Sequence, residues 1–446
     1  MKRSVLFALV TSTSLSIAAP SAPPERAKID ALAKAEIEQQ HAVGLTVVVA
    51  RGDKTIVSAG YGFADLAAKT PATADTLYRI GSVTKQFTAV AILQLVEQKK
   101  LALTDDIRTY VPEFPKHDSV ITIEQLLTHT SGVPTFTDTD WLQAGQHPLT
   151  HAQVLARFAT KPLEFIPGSK WAYSNSNYYL LGMAIEKLTK QTYGDAIRER
   201  VLLPAGMTRS GACDAPQLAH GYASAVGPID AMPFDNGPPF AAGALCATAP
   251  DLLAWQRALE HGKVITPASL AKMRTNAKLS TGALAGYGYG VFVADLEGHH
   301  RIEHEGGING FISELARYPD DDVTIVVLAN TEGPTPTQLE KRIARVMLSL
   351  PEPSKGKPLA SAERTPFVGS YDLQGVAKGL RARVFDEKGT LRVQLPKQPS
   401  IGMNYQGDGK FTLDMEEPVE IDFAADRAKL TLHQHGLTIE ALRVAP

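Results

Sequence analysis

The chain has 446 residues, of which 44% are hydrophobic and 21% charged, with a formal net charge of −2. That length exceeds one ordinary domain and points to two or three, and the composition is that of a chain able to bury large cores. Lysine and arginine are scattered rather than striped, which argues against nucleic acid as a partner. No apolar run reaches the roughly eighteen residues that a membrane span needs.

The first stretch, MKRSVLFALVTSTSLSIAAPSAP, sets Lys2 and Arg3 before a mostly apolar core from Ser4 to Ile17, and Ser16-Ile17-Ala18 gives a small-x-small site. This is the pattern of a signal peptide over residues 1–18, and it predicts export to a periplasm or the extracellular space. From Arg26 to Gln40 the spacing of Ile29, Leu32, Ala33 and Ile37 predicts an amphipathic helix. GLTVVVARGD and KTIVSAGYGFAD then read as a hairpin turning at Arg51-Gly52-Asp53. A helix is expected from Ser82 to about Lys99, burying Phe87, Val90, Ala91, Leu93, Leu95 and Val96. The middle, roughly 101 to 265, mixes helix and loop. It contains the two cysteines, Cys213 and Cys246, which fit either one disulfide or two separate thiols.

Strand patterns return at GYGYGVFVADL and VTIVVLAN, on either side of HHRIEHEGGINGF. TQLEKRIARVMLSL follows as an amphipathic helix with Leu339, Ile343, Val346, Met347 and Leu350 on one face. Strands near both ends of residues 19–350 therefore enclose a helical middle. The expected class is α+β: an antiparallel sheet assembled from distant segments, flanked by terminal helices, with an inserted all-helical subdomain. Residues 351–360, PEPSKGKPLA, read as a linker. Residues 361–446 show short alternating stretches about ten residues apart, which predict a small all-β barrel or sandwich.

Ser-x-x-Lys occurs three times, as Ser82/Lys85, Ser269/Lys272 and Ser354/Lys357, so the pair alone carries little weight. Ser354 lies in the linker, and Ser269 lies in a short surface helix without polar company. Ser82 differs. Gly81 before it permits close backbone approach, and TLYRI leads in as a strand. The serine therefore sits at a helix start, where free N–H groups face a developing anion. Lys85 projects from the same helical face. Desolvation and the helix terminus both lower a lysine's pKa, and a neutral amine beside a hydroxyl is a general base. The bland alternative is a capped helix with a solvated lysine.

Tyr173-Ser174-Asn175 adds a phenol able to relay a proton and an amide able to hold a carbonyl, although the same residues could simply cap a helix. His304-Glu305-Gly306-Gly307 adds glycines that let a strand pass close to a ligand and offer an N–H to an oxyanion. His300-x-x-Glu303-His304 also matches an inverted zinc-peptidase motif, but that chemistry needs a helix where this segment reads as strand. No Gly-x-Ser-x-Gly elbow is present for an α/β-hydrolase.

Gly81 to Ala89 (GSVTKQFTA), Leu126 to Gly132 (LLTHTSG), Tyr173-Ser174-Asn175 and His304-Glu305-Gly306, in this order, resemble the serine β-lactamase and penicillin-binding-protein superfamily. Their spacing looks most like the class C branch with its D-alanyl-D-alanine carboxypeptidases, D-aminopeptidases and esterases. The similarity covers about residues 30 to 350, and the β-rich tail resembles the lipocalin-like accessory domain of some members. The resemblance implies an exported serine hydrolase with Ser82 as acylated nucleophile and Lys85 as its base. Tyr173 would pass protons to the leaving group, and Asn175 would orient the substrate amide. The backbone N–H groups of Ser82 and Gly307 would form the oxyanion hole, with Gly306 among the substrate-binding residues.

His304 would stand where many members have the lysine of Lys-Thr-Gly. A partly protonated histidine is a weaker carboxylate binder than a permanent lysine charge, so esters and D-amino-acid amides become as plausible as penicillins. The reading calls for neither metal nor organic cofactor, and for a small-molecule or peptide substrate as partner. Two rivals are a penicillin-binding sensor of negligible turnover and the zinc peptidase built on His300, Glu303 and His304.

Overall fold

The computed structural model describes residues 24–444 apart from 138–139, 214–216, 352–355, 375–378, 397–399, 414–418 and 435–436. The expected signal peptide at 1–18 and the core of the expected linker lie outside the described residues.

A seven-stranded antiparallel sheet organises the first domain. Its strands are β1 (Gly44–Arg51), β2 (Lys54–Asp65), β3 (Thr70–Pro71), β4 (Phe292–Leu296), β5 (His299–Ile308), β6 (Phe311–Tyr318) and β7 (Val323–Ala329), in the order β3-β2-β1-β7-β6-β5-β4. The central pair, β1 with β7, joins residues more than 270 positions apart, with Leu45 opposite Ala329. Both strands are buried on both faces and so read as near-continuous apolar runs. The hairpin expected at Arg51-Gly52-Asp53 closes with Arg51 opposite Lys54 and Gly52 at φ +55°.

Alternate residues of these strands feed two cores. Val47, Val49, Ile325 and Val327 pack under the terminal helices α1 (Pro24–Glu38) and α5 (Thr335–Leu348), which contribute Ile29, Ala33, Leu339, Ile343 and Met347. Val48, Ala50, Val326 and Leu328 face the helical middle. That middle includes α2 (Thr84–Glu97), α3 (Asn175–Thr189) and α4 (Ala249–Glu260), with Phe87 of α2 stacked on Trp255 of α4 at 4.4 Å between ring centroids. Each such side chain, fully buried, contributes about 1.5–3 kcal/mol, so this larger core fixes where α2 lies against the sheet.

One expectation is corrected. GYGYGVFVADL reads as a strand from its start, but the strand begins only at Phe292. Gly286 and Gly290 adopt φ of +74° and +71°, and a Cβ at Gly290 would lie 2.7 Å from the Lys85 carbonyl. The alternation of tyrosine with glycine therefore serves a tight loop that crosses α2.

The cysteines are joined as Cys213–Cys246, with Cα atoms 5.2 Å apart. Cys246 also lies on a two-residue strand (Cys246–Ala247) that pairs with Tyr78–Arg79, and Ile80 N–H donates to Leu245 O at 3.0 Å. The bridge thus ties down the strand that leads into Ser82. Closing a 33-residue separation stabilises by about 3–4 kcal/mol.

The C-terminal domain is a closed barrel of eight antiparallel strands, each bonded to its sequence neighbours and the last to the first. Phe367, Tyr371, Phe411 and Phe423 fill it, with Phe367 4.8 Å from Phe411 and 5.0 Å from Phe423 between ring centroids. Closure removes the exposed edges that a sandwich would leave.

Candidate active site

The strand Tyr78–Arg79 ends in one turn of 3-10 helix, Gly81–Val83, which runs directly into α2. Gly81 has φ +48°, and a Cβ there would come within 2.8 Å of Gly307 N, so only glycine fits. Ser82 follows in the first turn, where its N–H has no intrahelical acceptor.

Lys85 is fully buried. Its Nζ lies 2.9 Å from Ser82 Oγ, 2.8 Å from Asn175 Oδ1 and 2.8 Å from Ala242 O. Burial holds its pKa well below the usual lysine value. A neutral amine has two N–H donors and one lone pair. Asn175 Oδ1 and the Ala242 carbonyl accept the two donors, which leaves the lone pair to accept the Ser82 hydroxyl proton. The motif thereby acquires an oriented base.

Asn175 opens α3, and its Nδ2 donates to Thr137 Oγ1 at 3.1 Å. Ser174 occupies the cap position without a side-chain cap bond, so the residues are not used as an ordinary helix cap. Tyr173 places its ring 4.8 Å from Lys85 Nζ. Burial raises its phenol pKa, only partly offset by a hydrogen bond with Ser82. Burial thus favours the uncharged forms of both Lys85 and Tyr173.

β4 pairs with β5 only as far as Glu303, so from His304 onward β5 is an edge strand beside the nucleophile turn. Gly306 makes the contact: a Cβ there would lie 2.0 Å from Ile80 O and 2.9 Å from Ser82 N. Gly307 and Ser82 both line one cavity of about 720 Å³.

His304 lies on the same strand but is 1% exposed. Its Nδ1–H donates to Glu305 O at 2.5 Å, and its Nε2 accepts from Tyr287 OH at 2.8 Å. Burial, with the nearby Lys85 second, lowers its pKa to about 3. The partly protonated histidine expected from the sequence is therefore neutral, and it cannot serve as a charged carboxylate clamp. The zinc motif is also undone by the strand. Successive side chains alternate faces, so Glu303 points away from His304 and meets Arg301 at 3.4 Å.

His129, in the LLTHTSG stretch, is a positioning residue to which the sequence assigned no role. It is fully buried, at φ +56°. Nδ1 accepts from Ser174 N–H (3.2 Å) and Asn177 Nδ2 (3.0 Å), and the ring lies 4.4 Å from that of Tyr173. Burial, then Lys85 and His304, push its pKa well below 6.5.

These histidines give the fold an acid-sensitive element. An unfolded histidine titrates near pH 6.5. Between about pH 6.5 and 3 the unfolded chain therefore holds a proton that folded His304 refuses. Stability from this site is complete above pH 6.5 and falls as pH drops, by about 1.4 kcal/mol per pH unit for one group. Urea denaturation at pH 7 and pH 5 should show a weaker pH dependence in His304→Gln, by about one proton. Identical slopes would contradict a neutral buried His304.

The cavity also reveals residues that the motifs did not mark. Arg79, before the nucleophile, donates to Phe234 O at 2.9 Å and to Asn236 Oδ1, fastening the loop that forms one wall. Phe136 and Trp141 form another. These wall residues come from irregular Pro- and Gly-containing loops, where no periodic pattern marks them.

Sheet, helix-start serine, buried lysine and edge strand are brought together as a serine acyl-transfer site would require. The Beta-lactamase family model matches residues 29–347. The chain belongs to that family, within the serine β-lactamase and penicillin-binding-protein superfamily. Penicillin-binding protein 4* of Bacillus subtilis is 27% identical over 91% of this chain and 96% of its own length. The octameric penicillin-binding protein homologue of Pyrococcus abyssi superposes with TM-score 0.68 at 23% identity, covering 93% of this chain and 99% of that one. The D-amino acid amidase of Ochrobactrum anthropi superposes with TM-score 0.64 at 23% identity, over 74% and 98%.

Proposed function

We propose that the protein is an exported serine hydrolase that cleaves amide or ester bonds, of D-amino-acid peptides or small esters, through an acyl-enzyme on Ser82. The observation that carries the reading is the 2.9 Å approach of Lys85 Nζ to Ser82 Oγ, with the amine's other contacts taken by Asn175 and Ala242. In acylation, Ser82 Oγ bonds to the substrate carbonyl carbon and its proton passes to Lys85. The oxyanion accepts from Ser82 and Gly307 N–H. The carbon–nitrogen or carbon–oxygen bond then breaks, and Tyr173 returns the proton to the leaving group. A water repeats the sequence to release the acid. The neutral His304 supports substrates that carry no carboxylate beside the leaving group, and the names of the amidase and penicillin-binding relatives bracket the substrate class. Export rests on the leader pattern of residues 1–18.

The test is intact mass and peptide mapping after separate incubation with a fluorophosphonate and with penicillin G, on protein recovered from a bacterial periplasm. A phosphonate on the Ser82 peptide, no lasting penicilloyl adduct and a mass lacking the leader are expected. A lasting penicilloyl adduct would favour a penicillin-binding protein of negligible turnover. No label from either reagent would overturn the hydrolase reading.

A further inference from the structure

The cavity beside Ser82 is walled by Phe136, Trp141, Phe234 and Met232, and among the described lining residues Glu332 alone carries a charge. Among the described residues no lysine or arginine lines it. Glu332 follows β7 and accepts the Gly310 N–H on Oε1 at 3.0 Å, which sets the carboxylate beside the turn between β5 and β6. No described residue forms an ion pair with it, and aromatic walls strengthen the pull of a fixed carboxylate on a cation.

Two features say which part of a substrate lies there. Tyr173, which meets the leaving group in the proposed mechanism, is not among the residues lining this cavity, so the cavity takes the acyl portion. Gly307, beside the carbonyl, lies two residues, about 7 Å of strand, from the tip of the tight β5–β6 turn where Gly310 holds the carboxylate, Ile308 being paired with Phe311 across that turn. An ammonium on the α-carbon would fall short. One at the end of a lysine-length side chain, or one residue further along a peptide, would reach.

Resting on the hydrolase reading, we infer that Glu332 forms a subsite for a substrate ammonium held about one residue's length from the scissile carbonyl. The enzyme is then selective for cationic acyl groups, and a carboxylate in the same place is repelled.

Diphenyl phosphonates of D-lysine and D-norleucine differ chiefly in that distal charge. Each phosphorylates a reactive serine with loss of phenol, so the rate of Ser82 labelling followed by mass needs no turnover. Wild type should label roughly five-fold faster with the lysine reagent, the scale of one partly screened ion pair, and the preference should shrink in high salt. Glu332→Gln keeps the acceptor for Gly310 and should bring the ratio near one, and Glu332→Lys should invert it. A second pair, the glycyl-norleucine phosphonate and its N-acetyl form, tells whether the ammonium belongs to a side chain or to a chain terminus. A preference in either pair that Glu332→Gln abolishes supports the subsite. Labelling with no preference, or with one that Glu332→Gln leaves intact, overturns the subsite but leaves the hydrolase reading standing. Failure of every phosphonate to label Ser82 overturns that reading and the subsite with it.

Discussion

Replacing Ser82 by Ala should lower hydrolysis at least about 10⁴-fold, and Lys85→Met about 10³-fold, the scale of a lost general base. The double variant should be no slower than Ser82→Ala, because nucleophile and base act as one unit. Methionine matches the lysine stem in length but offers Ser82 no lone pair. Binding of a non-reactive substrate analogue should therefore change little while kcat collapses.

The pH profile separates this role from a structural one. Wild-type kcat/KM should rise with pH as Lys85 loses its proton, on a limb well below the ordinary lysine range, and Lys85→Met should lack that limb. No inflection from His304 should appear near pH 6.5, since its pKa is about 3. The substitution moves stability the other way from activity. An unfolded lysine is protonated up to about pH 10.4, whereas the buried one is held neutral far lower. Its burial thus costs stability at pH 7, a cost that fades as pH rises toward 10.4. Lys85→Met should therefore be more stable than wild type at pH 7, with the gap closing at high pH. A variant that is both less stable and still active would refute the neutral-base assignment.

Much of this arrangement is legible in the residues. Two apolar strands far apart in sequence, an amphipathic helix near each end and a helical middle already imply a sheet closed by distant segments, because such strands find cover only on each other and on those helices. Ser82 and Lys85 stand out because glycine, strand and helix start coincide there. What escapes is whatever depends on burial or on backbone. The Ala242 carbonyl that fixes Lys85 has no side-chain signature. The charge of His304 follows from its surroundings rather than from its neighbours in sequence, so its ordinary pKa misleads. In the barrel, Gly369–Leu373 and Ile401–Gly407 lack clear alternation, since glycine and polar residues interrupt them. The Tyr287 loop reads as strand because its aromatic residues alternate, yet the intervening glycines are needed for left-handed turns. Tyr287 was missed for the same reason, although its hydroxyl fixes the His304 tautomer.

Gly306→Ala should disable the enzyme almost as thoroughly as loss of the base, although the change adds one methyl group and removes no functional group. The new carbon would lie 2.0 Å from Ile80 O, 2.5 Å from Ser313 Oγ and 2.9 Å from Ser82 N. Ser313 can turn aside, but Ile80 O and Ser82 N are backbone in the nucleophile turn, so strand and turn must separate by about 1.4 Å to reach ordinary contact. In the proposed mechanism oxyanion stabilisation depends on two N–H groups, one from each of those pieces, and loss of such a donor costs about 10²–10³-fold. Overpacking should also lower stability by about 1–3 kcal/mol. Gly307→Ala is the matched control. Its Cβ would meet only Ile312 Cδ1, at 3.4 Å, where a side-chain end can yield. That variant should keep most of its phosphonate-labelling rate at Ser82, while Gly306→Ala loses about two orders of magnitude of it. Equal rates in the two variants would mean that contact between β5 and the nucleophile turn does not hold the oxyanion site together.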